Sequence, residues 1–383
     1  MKRSRITTQR KKVLSITEIP DDMISDILSR LPLKSIFSCR CVCKTWCSLL
    51  LDPNFAALHY ARAPQGVILH FVIQRDLYLE VESSGSRNSS RGSTSNAVVT
   101  KLNTKLEFPE RMPHRLNSCN GLFLFIKFGF PITCSIYNPI TGEYMILPQD
   151  KNDAFSQIGF GLGFSQKTNQ FKVLRISFYT KILMQLKAEI HTVGTNSWRS
   201  IGGDVLPKLC CPSPQSIFLN GALHWMPETL LSSNLIDINS FDFENEEFQS
   251  IPLPAQFGVE RITRTARLGL LGGCLCIYDT SFSPQLDIWM MKDYGVKESW
   301  TKQYVIETPE FSRSFHPVRI LDNGEILFVK CVIGILAYNP REKKFRDVGV
   351  SWLPKENFLP IDFTSSFVSL KNAATGQHFQ QNE

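Results

Sequence analysis

Apolar and polar residues follow two different rhythms along this chain, and the first of them is helical. Five apolar residues near the start recur at the i, i+1, i+4, i+5 and i+8 spacing of one helix face: Met23, Ile24, Ile27, Leu28 and Leu31. Asp21 and Asp22 predict the start of this helix, because acidic side chains stabilise a first turn. Pro32 predicts its end, because the residue before a proline avoids helical backbone angles.

Two further short helices are predicted next, one from Leu33 and one that carries Trp46, and Asp52 opens a fourth. A module of well under ~40 residues rarely buries enough apolar surface to fold alone. The apolar surface left over, including Trp46, therefore predicts a contact with the rest of the chain or with a partner protein.

From Gly66 onward the pattern changes to short alternating runs separated by turn residues, which predicts an all-β domain. One apolar run recurs at intervals of 50, 50, 53 and 51 residues, beginning at Gly121, Phe171, Gly221, Cys274 and Glu325. A second run follows each, and a third is marked by an aromatic residue: Tyr144, Trp198, Phe248, Trp300 and Phe345.

A period of ~50 residues with several strands per unit predicts the blades of a β-propeller. Counting back to the run at 67–72 gives six blades, and seven are possible if strands lie hidden in 83–108. The Ser-rich stretch 83–96 is predicted to be a loop. The run 363–370 is predicted to pair with the first blade, which would close the ring without an exposed edge.

The predicted organisation is a basic arm at 1–14, a helical module at 15–62, the β domain at 66–370 and a polar tail at 371–383. The net charge of +7 is concentrated in the arm, which holds six basic residues before the first acid: Lys2, Arg3, Arg5, Arg10, Lys11 and Lys12. The arm is either a nuclear-localisation patch or a solvated tail. Because the remaining chain is nearly neutral, nucleic-acid binding is not expected.

The spacing of the cysteines and histidines bears on the cellular compartment and on metal binding. Eleven cysteines without the spacing of a disulfide framework indicate the cytosol or the nucleus, and no apolar run approaches the ~18 residues of a membrane span. The seven histidines are isolated, and His224 is interpreted as a packed or channel-facing residue. Cys39, Cys43 and Cys47 are interpreted as small core residues on one helix face. Metals and cofactors are therefore not expected.

Close backbone packing is the predicted role of the alternating glycines in 159–163.

Four short sequence motifs in the helical part carry a family resemblance: Ile19-Pro20-Asp21-Asp22, Ile27-Leu28, Arg30-Leu31-Pro32 and Val42-Cys43-Lys44-Thr45-Trp46. Together they resemble the F-box motif, with Ile19 in place of the usual leucine. The resemblance implies docking onto a Skp-type adaptor and, through it, a cullin. The residues expected to contact the adaptor are Ile19, Pro20, Ile24, Ile27, Leu28, Leu31, Pro32, Ile36, Val42, Cys43, Trp46 and Leu49.

The β domain is similar to the plant F-box-associated domain. Sequence motifs such as Ser118-Cys119-Asn120-Gly121-Leu122 and the Asn138-Pro139 turn carry this similarity. This resemblance implies a non-catalytic subunit of an SCF-type ubiquitin ligase, whose kelch-like propeller recruits an unidentified protein for ubiquitination in the nucleus or cytoplasm. Three alternatives stay open. The helices are only a cap on the β domain, the propeller binds a small molecule or glycan, or it is an enzyme.

Overall fold

The computed structural model describes residues 19–71, 76–83, 97–102, 115–127, 132–148, 157–179, 185–201, 216–226, 237–255, 257, 266–279, 284–308, 315–330, 334–348 and 358–376. The predicted basic arm at 1–14 and most of the Ser-rich stretch, 84–96, lie outside these residues. The predicted fold class is confirmed, because a short helical module precedes an all-β region of four-stranded antiparallel sheets.

The helical module has four helices: α1 (Asp21–Ser29), α2 (Leu33–Cys39), α3 (Lys44–Leu49) and α4 (Pro53–Tyr60). Their ends follow from local chemistry. Asp21 and Asp22 occupy the first turn of α1, and Pro32 directly precedes α2. At α4 the backbone N–H of Asn54 donates to Asp52 Oδ1 at 2.7 Å, which satisfies one of the free N–H groups of the first turn.

The described residues of the all-β region form 24 strands. The first twelve are β1 (Gln65–Phe71), β2 (Asp76–Ser83), β3 (Ala97–Leu102), β4 (Arg115–Cys119), β5 (Leu122–Lys127), β6 (Thr133–Tyr137), β7 (Tyr144–Ile146), β8 (Gln157–Ser165), β9 (Gln170–Tyr179), β10 (Gln185–Thr192), β11 (Arg199–Ser200) and β12 (Ile217–Leu219). The others are β13 (Ala222–Trp225), β14 (Ile238–Asp242), β15 (Glu247–Ile251), β16 (Ala266–Leu271), β17 (Cys274–Asp279), β18 (Gln285–Met291), β19 (Trp300–Glu307), β20 (Phe315–Ile320), β21 (Ile326–Lys330), β22 (Gly334–Asn339), β23 (Lys344–Asp347) and β24 (Phe358–Thr364). A 3-10 helix, Lys297–Ser299, precedes β19.

These strands form six sheets within the described part of the chain, in the orders β24-β1-β2-β3, β4-β5-β6-β7, β8-β9-β10-β11, β12-β13-β14-β15, β16-β17-β18-β19 and β20-β21-β22-β23. Each sheet contacts the next in chain order, and β20 of the last sheet contacts β24 of the first, so the sheets follow one another round a ring. The three repeated runs lie in or next to the second, third and fourth strands of their sheets. The blade count stays a prediction, because parts of 83–108 lie outside the described residues.

The predicted closing strand was correct in its partner and wrong in its position. Strand β24 pairs antiparallel with β1, with Ile68 opposite Ile361, but it ends at Thr364 instead of running from 363 to 370. The chain leaves the sheet there because the Asn138 side chain binds the carbonyls of Ser366 and Val368. The tail predicted from 371 is also corrected: it begins as a helix, α5 (Leu370–Thr375).

Two of the alternating glycines pack as predicted. A Cβ at Gly161 would lie 2.0 Å from Leu223 Cδ2, and one at Gly163 would lie 2.0 Å from Phe243 Cε2. Both positions are on β8, and both facing side chains belong to the next sheet or the turn after its third strand. The glycines therefore let two neighbouring sheets approach each other closely.

Candidate adaptor-binding surface

The apolar residues of the helical module divide into an inward and an outward set. The inward set is buried and belongs to an apolar cluster that continues into the ring: Ile24, Leu28, Leu33, Ile36, Leu50 and Phe55. The outward set keeps large exposed fractions, with Met23 at 55%, Ile27 at 51%, Val42 at 63% and Leu51 at 57%. The module thus shares its core with the ring and exposes four large apolar side chains, which together we call the outer apolar surface.

The structure spreads the twelve predicted contact residues over both sets. Three are buried: Ile24, Leu28 and Ile36. Four are partly buried: Ile19, Leu31, Trp46 and Leu49. Five are exposed: Pro20, Ile27, Pro32, Val42 and Cys43. A side chain such as Leu28, only 1% exposed, stabilises the helices from within. That the twelve residues contact an adaptor stays a prediction.

Sequence reasoning left Met23 and Leu51 out of the contact set. Met23 lies one helical turn before Ile27 on α1, and this i, i+4 spacing was the available signal. Leu51 follows the end of α3, where no helical periodicity applies. Both belong to the outer apolar surface by their exposure.

The interpretation of the three cysteines as core residues on one helix face was wrong. Cys39 is the last residue of α2, Cys43 precedes α3 and Cys47 lies within α3, so a turn separates the first from the others. Cys43 is exposed, and its Sγ accepts the Trp46 backbone N–H at 3.5 Å. The thiol therefore caps α3, a role that serine or asparagine usually fills.

Charged groups tie the first helix of the module to the last. The Asp26 carboxylate lies 3.0 Å from Arg30 Nε and 2.7 Å from Arg62 Nη1, and Arg62 also donates to Ser29 Oγ at 2.6 Å. Hydrogen bonds from Arg30 and then from Arg62 lower the pKa of Asp26. The cluster lies in solvent, so it orients the two helices more than it stabilises them.

The inner side of the module rests on the ring through aromatic contacts. The Phe367 ring lies 4.9 Å from His59, 5.6 Å from Phe55 and 6.1 Å from Phe37, between ring centroids. Tyr60 Oη donates to Asn120 Oδ1 in the β4–β5 turn at 3.1 Å. The helices therefore pack on the β domain and still keep the outer apolar surface exposed.

Buried histidines in the ring are packed through hydrogen bonds. His224 lies with Nδ1 3.1 Å from the Ile217 carbonyl and Nε2 2.7 Å from Tyr294 Oη. His316 Nδ1 lies 3.0 Å from Tyr278 Oη. Burial lowers the pKa of both imidazoles to about 4, which keeps them neutral. Among the described residues, no three His, Cys, Asp or Glu side chains converge on a possible metal position.

Within the part of the chain that the structure describes, no helix is long and apolar enough to cross a membrane.

Comparisons with known proteins agree with this arrangement. Residues 16–57 match the F-box domain, and residues 68–373 match the F-box associated beta propeller domain. F-box protein At3g07870 of Arabidopsis thaliana is 30% identical over 386 residues, which cover 88% of this chain and 89% of that protein. F-box/kelch-repeat protein At3g23880 of the same plant is 25% identical, covering 88% and 91%.

Among solved structures, TolB from Acinetobacter baumannii superposes with a TM-score of 0.37 at 10% identity over 74% of this chain and 63% of that chain, too distant a likeness to inform the fold. The family matches together cover both the helical module and the ring. The chain therefore belongs to the F-box proteins that carry an F-box associated beta propeller domain.

Proposed function

We propose that this protein is the substrate-recognition subunit of an SCF-type ubiquitin ligase. Its helical module binds a Skp-type adaptor, and through it a cullin, while the ring recruits a protein to be ubiquitinated. The observation that carries the proposal is the outer apolar surface on an F-box module whose inner side is already used to pack on the ring.

The outer apolar surface has the character of a binding site. Met23 and Ile27 lie one turn apart on α1, and Val42 lies in the turn before α3. Complete burial of an aliphatic side chain of this size contributes about 1.5–3 kcal/mol. A few such anchors dominate the affinity of a typical protein–protein interface.

The role is one of proximity and not of catalysis. The ubiquitin-conjugating enzyme of the ligase supplies the reacting thioester, and the recruited protein supplies the lysine amine. By holding that protein in the same complex, the ring raises the effective concentration of its lysines near the enzyme. No side chain of this chain is assigned a chemical step.

We assign the recruited protein to the face of the ring opposite the helical module. Successive turns of an antiparallel sheet alternate between its two ends. The β4–β5 turn, with Asn120, and the end of β24 both lie on the side that contacts the helices. The end of β5 and the start of β6 then lie on the opposite face, away from the adaptor.

Binding of purified Skp-type adaptor to the full chain tests the proposal. The variant pair Ile27→Asp and Val42→Asp places two charges on the outer apolar surface, and we expect its affinity to fall at least about a hundredfold because buried unpaired charges are strongly unfavourable. The matched control is Val305→Asp, since Val305 is 52% exposed on β19 of the ring. The control is expected to bind like the wild type.

Two results would contradict the proposal. One is a wild-type chain that does not bind the adaptor. The other is an affinity of the Ile27→Asp, Val42→Asp chain equal to that of the control, measured by calorimetry on chains whose circular dichroism spectra agree.

A further inference from the structure

Residues 365–376, here called the C-terminal strap, follow the closing strand β24 and end with helix α5. The strap leaves the ring at the side that faces the helical module. Its Phe367 is only 6% exposed, because the ring of this residue is inserted against α2 and α4. Phe37, Phe55 and His59 surround it, with His59 edge-on at 4.9 Å. The last part of the chain thus completes the core of the first part.

The sheet β4-β5-β6-β7 holds the strap on both sides of Phe367. Buried Asn138 donates its amide to the Ser366 carbonyl at 3.0 Å and to the Val368 carbonyl at 2.7 Å. Glu143 accepts from Ser369 Oγ at 3.0 Å and from the Leu370 backbone N–H at 2.6 Å. The carboxylate binds a first-turn N–H of α5, where negative charge is favoured. The backbone around Phe367 is therefore held by three hydrogen bonds, and the Ser369 hydroxyl adds a fourth.

The ring is also shaped to receive the strap. A Cβ at Gly121 would lie 2.2 Å from Ser366 Cβ, and one at Gly194 would lie 2.0 Å from the Ala374 carbonyl oxygen. Both glycines have positive φ angles, 78° and 96°, which other residues rarely adopt. Asn169 Nδ2 then donates to the Gly376 carbonyl at 2.9 Å. The strap thus runs in contact with two neighbouring sheets before it ends.

We propose that the C-terminal strap, acting through Phe367, fixes the direction of the F-box module relative to the ring and is a positioning element of the ligase. This inference rests on the proposed function for its consequence, which is that the strap sets where a recruited protein lies relative to the ubiquitin-conjugating enzyme. Effective concentration depends steeply on such geometry. Phe367 is a positioning residue, because it contacts neither the adaptor surface nor the face assigned to the recruited protein.

Amide hydrogen exchange of the full chain alone tests the joint. In Phe367→Ala we expect exchange in α2 and α4 to become at least about tenfold faster, because their packing on the ring is lost. The matched control is Phe257→Ala, which truncates a similarly buried phenylalanine, 7% exposed, that packs on Trp289 within the ring. It is expected to leave exchange in α2 and α4 unchanged. Phe367→Leu is expected to restore most of the protection.

A second variant keeps the test decisive if Phe367→Ala folds poorly. Glu143→Gln weakens the hold on Ser369 and Leu370 without touching a helix of the module. We expect it to accelerate exchange in α5 and, to a smaller extent, in α2 and α4. Equal exchange in α2 and α4 for Phe367→Ala and the wild type, or for Phe367→Ala and Phe257→Ala, would overturn the positioning role.

The consequence is tested in the reconstituted ligase, with the chain's own lysines as reporters of geometry. Mass spectrometry of the ubiquitin-modified chain is expected to show a restricted set of lysines for the wild type and a wider set for Phe367→Ala, at unchanged adaptor affinity. If both chains are modified on the same set of lysines, the strap does not set the geometry of the ligase, and this part of the proposal is overturned. A wild type that does not bind the adaptor overturns the proposed function, while the exchange result still decides whether the strap fixes the helices.

Discussion

The helical module and the ring are stabilised in different ways. A ring sheet such as β16-β17-β18-β19 is made of strands that pair with the next strand along the chain, and its apolar cluster draws on nearby sequence. The module shares one apolar cluster with Phe367 and Val368 from the other end of the chain. Such a sheet is therefore built from local contacts, whereas the module, like the closing pair β1–β24, depends on a segment distant in sequence.

The two regions also use charge differently. In the ring, Arg175 and Glu189 form an ion pair at 2.6 Å with both side chains under 10% exposed, and the Arg175 guanidinium lies 4.4 Å from the centre of the Trp198 ring. In the module, the Asp26 cluster lies in solvent. A buried pair stabilises only while both partners are present, whereas an exposed pair contributes little.

Glu189→Gln should give the largest effect, because it leaves the Arg175 charge buried without its carboxylate. We expect the free energy of unfolding of the ring to fall by about 3–5 kcal/mol. Urea unfolding followed by hydrogen exchange in β9 and β10 measures it. A loss no larger than that of an exposed-pair variant would remove the difference in charge use between the regions.

Leu28→Ala should act within the module. It deletes a fully buried side chain from the shared cluster, so we expect a local loss of about 2–5 kcal/mol. Exchange in α1 and α4 should accelerate, while exchange in β17 and β18 should not change. Equal acceleration in both regions would show that module and ring unfold as one unit.

Acid should weaken both regions through their buried histidines. Burial lowers the pKa of His59 to about 4, and among the described residues its Nδ1 has no hydrogen-bond partner. Because the folded pKa is below the unfolded value of 6.5, the stability that neutral His59 provides is complete above pH 6.5 and is lost as the pH falls toward 4. Between pH 7 and pH 5 the loss is about 2 kcal/mol per such group.

His59→Phe separates the two regions in this respect. The acid sensitivity of exchange in α4 should disappear, while that of β13 and β20, which carry His224 and His316, should remain. An unchanged pH profile of α4 in the variant would contradict the role of His59.

Asp26→Asn should give the smallest effect. It removes the charge that Arg30 and Arg62 contact in solvent. We expect no measurable change in the unfolding midpoint at 0.15 M salt and unchanged exchange in α1. A clear loss of stability would show that the exposed cluster fixes α1 on α4 more strongly than surface pairs usually do.

The comparison also explains what the sequence could reveal. The second, third and fourth strands of the sheets carry a recurrent apolar pattern, and Pro32 and Asp52 mark helix ends, because these signals act over a few residues. In each of the neighbouring apolar pairs Met23-Ile24 and Ile27-Leu28, the sequence could not show which side chain is buried and which is exposed. That depends on how α1 packs on α4 and on the shared cluster, which no local pattern indicates.

The closing strand was misplaced for the same reason. Residues 363–370 carry apolar side chains at Phe363, Phe367, Val368 and Leu370 that resemble a strand, but Asn138 binds the Ser366 and Val368 carbonyls and Glu143 binds the Leu370 backbone N–H. Such side-chain partners lie far away in sequence. The contact surface was predicted as a set of twelve residues because the resemblance gives positions in a motif and carries no information on exposure.

The placement of β24 and Phe367 has a consequence for synthesis on the ribosome. The F-box helices emerge before the ring, yet the strand that pairs with β1 and the aromatic ring that packs in the helical core emerge only after the other five sheets. A chain that stops after residue 57 but before residue 358 carries the whole F-box and lacks both the closing strand and Phe367, against which its helices pack. Products that stop between these two points therefore differ from the longer chain in fold as well as in length, because β1 and the inner side of the helices have lost their partners.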